Sequence, residues 1–301
     1  LNKVNSLLGE SFMLAEGLEK SGAFMGSTDD YRRASVVILG APLDLTVSFR
    51  PGTRFAPAQI RQVSVGLEEY SPALERDLVD YAYYDAGDIV LPPGRVQESL
   101  GRIGATVAAI LADGKFPLLL GGEHLVTLPV VEAMLRCYPD LAVVHLDAHA
   151  DLREEYLNER LSHATVMRRV VEVLGGENVF QFGIRSGTRE EFSYGRTTTH
   201  FFPGEILRAL AQVRGQLKGR PLYLTLDIDV LDPAYAPGTG TPEPGGCTPQ
   251  EVFQALYLLA DCRVVGMDLV EVCPVYDPTE RTSLLAAKIV REAILCFGQG
   301  K

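Results

Sequence analysis

The sequence predicts an α/β fold, a parallel sheet covered by helices on both faces, and three observations carry that expectation. Eight short apolar runs recur along the 301 residues, often β-branched and mostly without in–out alternation. Strands buried on both faces read this way, whereas half-exposed strands alternate. Amphipathic stretches of helical length separate the runs, which is the pattern of a parallel sheet. No repeat, low-complexity tract or Ser/Gly linker divides the chain. One domain over 1–301, with 1–35 as an N-terminal extension packed on it, is the simplest organisation.

In order, the candidate strands are 36–40, 81–85, 116–120, 142–146, 179–182, 200–202, 222–226 and 264–268. The candidate helices are 96–113, 125–138, 163–174, 203–217, 249–260 and 283–297. Two have marked starts. Ser162 stands as an N-cap before His163, and Thr248 precedes Pro249, which suits the first helical position.

Composition narrows the function classes. With 47% hydrophobic and 22% charged residues the chain is globular, not disordered. A formal charge of -11 disfavours nucleic acid, which needs clustered Lys and Arg, and suits a cationic ligand. Cys137, Cys247, Cys262, Cys273 and Cys296 are scattered without a C-x-x-C pair and fit reduced thiols, Cys247 and Cys273 among them as buried apolar groups. Residues 1–20 mix charges with apolar residues at helical spacing, unlike a signal peptide, and no window is apolar enough to span a membrane. A soluble cytoplasmic protein with no nucleic-acid or membrane partner is expected.

The polar residues fall where chemistry is expected. Gly121-Gly122-Glu123-His124 follows one strand, Asp147-Ala148-His149-Ala150-Asp151 another, Asp227-Ile228-Asp229 a third, and Glu271 lies just beyond a fourth. Ligands of open α/β sheets bind at the carboxyl ends of strands. In an extended strand end Asp147, His149 and Asp151 would point the same way, as would Asp227 and Asp229. With His124 this makes two imidazoles and four carboxylates. Four clustered carboxylates stay ionised only beside strong positive charge, and two divalent cations supply it. Oxygen-rich donors with some imidazole and no thiolate favour Mn²⁺ over Zn²⁺, and a two-metal site activates a shared water. His145 reads as a buried residue behind these groups, and His200 as structural or surface. The glycines at 238, 240, 245 and 246 lack a phosphate loop's ending and read as rim.

The motifs GGEH (121–124), HLDAHADLREEY (145–156), SHAT (162–165), LTLDIDVLDPAYAPGTGTPEPGG (224–246) and DLVEVCPVYDP (268–278), with RPGTRFAPAQIR at 50–61, resemble the ureohydrolase family. That family comprises arginases, agmatinases, guanidinobutyrases and formiminoglutamases, and the resemblance covers nearly the whole chain. It implies a single arginase-type domain, a three-layer α/β/α fold with about eight mostly parallel strands. It also implies two Mn²⁺, one held by His124, Asp147, Asp151 and Asp227, the other by Asp147, His149, Asp227 and Asp229. His163 matches the proton shuttle and Glu271 the guanidinium-binding glutamate, while Asp151 would also aim the attacking hydroxide. The implied reaction is attack of a metal-bridging hydroxide on a guanidinium carbon, releasing urea and an amine.

Agmatine is the favoured substrate. The loop 152–161, LREEYLNERL, carries Glu154, Glu155 and Glu159, and an acidic rim would welcome a free ammonium and repel a carboxylate. The SHAT ending also resembles agmatinases; Ala150 departs from the family's common Thr, and 279–283 matches nothing assignable. Arginase is less favoured, guanidinobutyrase or another guanidino or formimino hydrolase is the first alternative, and a silent polyamine- or partner-binding paralogue is the non-enzyme one. A phosphoesterase lacks a basic cluster to clamp phosphate. The family resemblance further implies a homo-oligomer, trimer or hexamer.

Overall fold

The computed structural model describes residues 17–300, so most of the segment at 1–20 lies outside the described residues. The chain runs β1 (Leu18–Glu19), β2 (Val36–Ala41), α1 (Ala56–Ser64), β3 (Tyr70–Ser71), β4 (Arg76–Asp77), β5 (Tyr83–Ile89), α2 (Val96–Ala112), β6 (Phe116–Gly121) and α3 (Thr127–Cys137). It continues through β7 (Ala142–Leu146), α4 (Val166–Leu174), β8 (Val179–Phe182), α5 (Arg189–Thr198), β9 (His200–Phe202), α6 (Leu207–Leu217), β10 (Pro221–Asp227), α7 (Pro249–Leu259), β11 (Arg263–Val270) and α8 (Arg281–Phe297).

The main sheet has nine strands in the order β1-β5-β2-β6-β11-β10-β7-β8-β9. All pairings are parallel except the two-residue edge strand β1, which runs antiparallel to β5. Successive residues of one strand enter opposite cores. Val36 and Ile38 of β2 join α1, α6, α7 and α8, while Val37 and Leu39 join α2, α3 and α4. The three layers follow from this, because a strand that is apolar on both faces needs a helix layer on each. In α2 the stripe Leu100, Ile103, Val107, Ile110 and Leu111 recurs at helical spacing and is buried.

The eight expected strands are present, with β7, β8 and β9 at the expected bounds. The expected strand at 81–85 instead starts at Tyr83 and runs to Ile89. The strand carries Asp85 and Asp88 in its interior because buried Arg61 pairs with both carboxylates, at 2.8 and 2.5 Å. The short pairs β1 and β3–β4 carry too little pattern to be read. Helix α1 begins inside the 50–61 motif and runs on to Ser64, and α5 has the polar sequence REEFSYGRTT. Thr188 and Glu191 nonetheless form its capping box, a T-x-x-E signal that sequence reading could have used. The helix expected from 203 starts at Leu207, because Gly204 turns with φ 68. Thr248 caps α7 as expected, accepting Glu251 N–H at 3.3 Å while the Glu251 carboxylate accepts the Thr248 N–H at 2.8 Å. The unassigned 279–283 segment is the entry to α8, where Asp277 accepts the Thr282 N–H at 2.8 Å.

Candidate metal centre

The four strands that end in His, Asp or Glu groups, β6, β11, β10 and β7, are neighbours at the centre of the sheet. The consecutive strands β6 and β7 are separated by β11 and β10, which opens a crevice at their carboxyl ends. His124 reaches it through the Gly121-Gly122 turn. A Cβ on Gly122 would stand 1.9 Å from Leu43 O, so only glycine lets this strand end pass the segment after β2.

His124 Nδ1 lies 3.1 Å from Asp147 Oδ2, 3.3 Å from Asp151 Oδ2 and 3.2 Å from Asp227 Oδ2. It is buried and has no well-aligned hydrogen-bond partner among the described residues. One nitrogen facing three oxygens without bonding any of them is the geometry of a shared cation. On the far side, His149 Nδ1 is 2.9 Å from Asp229 Oδ2 and 3.7 Å from Asp147 Oδ1. Asp147 therefore belongs to both groups, which identifies a two-centre cluster. Asp227 offers Oδ2 to the first group, and its Oδ1 accepts the Asp229 N–H at 2.8 Å.

Convergence does not come from strand alternation, as the sequence suggested. Strand β7 stops at Leu146, Asp147 Oδ1 accepts the His149 N–H at 2.5 Å, and Asp151 is left-handed with φ 52. Tight turns closed by the carboxylates themselves gather the ligand-type groups. Glu271 is also left-handed, φ 63, and its Oε1 accepts the His124 N–H at 2.7 Å. Two non-glycine residues with such backbones at one site mark conformations held by their surroundings.

The electrostatics call for positive charge. Burial, then Asp229 and Asp147, pushes Asp227 well above the usual carboxylate range, and burial with Asp147 raises Asp151. Burial, then Glu123, does the same to Glu271. Burial pulls the histidines down, but the carboxylates outweigh it and hold His124 well above its ordinary value and His149 at about 12. A proton on each imidazole and a cation between them are alternative answers to the same field. The donor set of oxygens and imidazole therefore fits two divalent cations.

Above the cluster is a cavity of about 270 Å³, whose walls include Ser48, Arg153, Tyr156, His163, Thr241 and Glu271. Ser48 Oγ lies 3.2 Å from His163 Nε2, and Thr46 Oγ1 3.4 Å from Nδ1. Burial, then the neighbouring histidines His149 and His124, lowers His163 to about 4. The expected acidic rim is not on this wall. Glu154 pairs with Arg160 and, at 2.7 Å, with Arg168, while the loop presents Arg153 and Tyr156 to the cavity. Arg153 is paired with Glu191 at 3.3 Å.

One further side chain was not assigned from sequence. Arg185 binds four carbonyls around the Asp229 turn, including Asp229 O and Glu243 O at 2.7 Å, and so holds that turn. His145 lies where it was expected, fully buried behind Asp147. His200 is structural, stacked on Phe180 with ring centroids 4.1 Å apart. The five cysteines are free thiols; Cys273 is buried as expected and Cys247 is only partly so.

Comparison with known proteins agrees with this geometry. A model described as the arginase family matches residues 34–296. An agmatinase of Bacillus anthracis is 52% identical over 275 residues, covering 90% of this chain and 95% of that protein. A guanidinobutyrase of Pseudomonas aeruginosa is 38% identical, covering 87% of this chain and 86% of that one. The crystal structure of agmatine ureohydrolase of Thermoplasma volcanium superposes with a TM-score of 0.84 at 35% identity, covering 91% of this chain and 93% of that one. On sequence and fold together, this chain belongs to the arginase family.

Proposed function

We propose that the chain hydrolyses agmatine to putrescine and urea at two manganese ions. The observation that carries this is the sharing of Asp147 between two His/Asp groups beneath a cavity that ends on Glu271. His124, Asp147, Asp151 and Asp227 would hold one ion, and Asp147, His149, Asp227 and Asp229 the other. The ions, when bound, would supply a water acidic enough to attack near neutral pH.

The chain's own residues do the rest. Glu271 is anchored through Oε1 by the His124 N–H, which leaves Oε2 for the substrate's guanidinium N–H groups. A buried carboxylate raised this far gains most from a cationic partner, so the site selects guanidinium over neutral ureas. Asp151 would accept a hydrogen bond from the attacking water and orient it. His163 is neutral at rest, so it can take up the proton the water loses and release it to the departing amine. An amine leaves readily only once protonated.

The reading keeps a small cationic guanidino compound as the partner and a cytoplasmic homo-oligomer, trimer or hexamer, as the working form. No helix among the described residues is long and apolar enough to cross a membrane. Arg153 at the cavity wall favours a second reading, a guanidino acid whose carboxylate it would meet. Its pairing with Glu191, and 52% identity to an agmatinase against 38% to a guanidinobutyrase, set agmatine first. The deciding assay is urea release from agmatine, guanidinobutyrate and arginine by chelator-stripped protein given back Mn²⁺. Manganese-dependent urea from agmatine supports the proposal, and urea from guanidinobutyrate alone replaces it with the second reading.

A further inference from the structure

His145 is close enough to the first group of metal-type donors to count as a ligand by distance alone. Its hydrogen bonds argue otherwise. The residue lies on β7, with Thr225 of β10 and Gln181 of β8 as its cross-strand neighbours. Both His145 and Gln181 are fully buried.

The Gln181 amide has one permissible orientation. One of its terminal atoms is 2.9 Å from Ala150 O, and a carbonyl can only accept, so that atom is the NH₂ nitrogen. The other terminal atom, the oxygen, accepts the Thr199 hydroxyl at 3.1 Å. The same NH₂ nitrogen lies 3.1 Å from His145 Nδ1. It has only protons to offer, so Nδ1 must accept and is bare. The ring proton is then on Nε2, which is 2.7 Å from Asp147 Oδ2. Each nitrogen of His145 is thereby used, and neither presents a lone pair to a cation.

We infer that His145 is a positioning residue for Asp147, held in its Nε2–H tautomer by Gln181, and not a metal ligand. The inference rests on the two-metal reading of the site only for its consequence. Asp147 is the carboxylate common to both groups, and it is held at Oδ2 by His145 and at Oδ1 by the His149 N–H, 2.5 Å away. The two bonds leave it one orientation in which to serve both centres. Groups that orient a ligand from behind in this way typically change metal affinity by about 10–100-fold.

The test has two arms on the full chain. Imidazole ¹⁵N shifts in the metal-free protein read the tautomer directly, and with five histidines the spectrum is assignable. A protonated Nε2 and bare Nδ1 at His145 are expected, with a switch toward Nδ1–H in Gln181→Glu, whose carboxylate accepts where the amide donated. A bare Nε2 in the unsubstituted protein overturns the inference. The second arm titrates His145→Phe with Mn²⁺ alone, following free Mn²⁺ by its paramagnetic resonance. Two ions per chain at saturation, bound about 10–100-fold more weakly, are expected. Saturation at one ion would make His145 a ligand, and unchanged affinity would deny it a positioning role; either overturns the inference. If the unsubstituted protein takes up no Mn²⁺, the two-metal reading fails while the tautomer arm still decides the role of Gln181.

Discussion

Glu123 grips Thr46 twice, its Oε2 accepting the Thr46 N–H at 2.8 Å and its Oε1 the Thr46 hydroxyl at 2.9 Å. Thr46 Oγ1 in turn accepts the His163 N–H at 3.0 Å. The carboxylate one residue before His124 thus ties the strand end carrying His124 to the loop that flanks His163. Glu123→Gln replaces one acceptor oxygen with a donor and breaks half of this grip. Bonds to charged groups contribute about 1.5–3 kcal/mol, so kcat should fall roughly 10–100-fold while two Mn²⁺ still bind. Steady-state kinetics beside metal titration checks it, and an unchanged kcat refutes the linkage.

His163→Asn should separate chemistry from metal binding. The side chain keeps a polar group near Thr46 and Ser48 but cannot carry a proton. Turnover should drop about 10²–10⁴-fold with Mn²⁺ affinity preserved. Loss of metal in this variant would instead make His163 part of the metal shell.

Titration of His163 in the metal-free protein gives an independent check. Its pKa is lowered from 6.5 to about 4, chiefly by burial. The folded state therefore binds this proton more weakly than the unfolded chain. Its contribution to stability is complete above pH 6.5 and is lost as pH falls toward 4. The ring-proton NMR signal should show no midpoint near 6.5; one there would mean that the ring is solvated.

A one-way hydrogen-bond chain runs from His124 to Asp268. Tyr223 and Thr127 hydroxyls both contact Asp268 Oδ2, Thr127 at 2.7 Å, so Thr127 must accept from Thr225 at 3.2 Å. Thr225 then accepts His124 Nε2–H at 2.9 Å, which leaves Nδ1 bare toward the cluster. Asp268→Asn can reverse this polarity, and Mn²⁺ binding should weaken about tenfold or more. Equilibrium dialysis measures it, with Tyr223→Phe expected to change less because it leaves the chain's direction intact.

Gly122→Ala should destabilise the fold by about 3 kcal/mol, since the added methyl meets backbone atoms of Leu43 and cannot be relieved by a rotamer change. Chemical denaturation of the metal-free protein measures this, and a loss under 1 kcal/mol would mean that the turn relaxes easily.

What the sequence by itself determined was the material of the protein. Strands buried on both faces announce themselves as unbroken apolar runs, so β6, β7, β10 and β11 were legible, and with them the carboxyl ends where His124, Asp147, Asp227 and Glu271 emerge. Residue type and its placement after the strands also set the demand for positive charge, because four clustered carboxylates stay ionised only beside it. Tertiary structure decided the rest. Strand order is not local information, and it alone brings β6, β11, β10 and β7 side by side. Helix α5 escaped notice because its sequence is polar, and the end of β5 because its carboxylates are satisfied by a partner distant in sequence, as Asp85 is by Arg61. Glu154 looked like substrate-binding charge until folding paired it with Arg160 and Arg168 and put Arg153 on the cavity wall. The direction in which a side chain points, and which partner it satisfies, depends on contacts between segments that a reading along the chain does not contain.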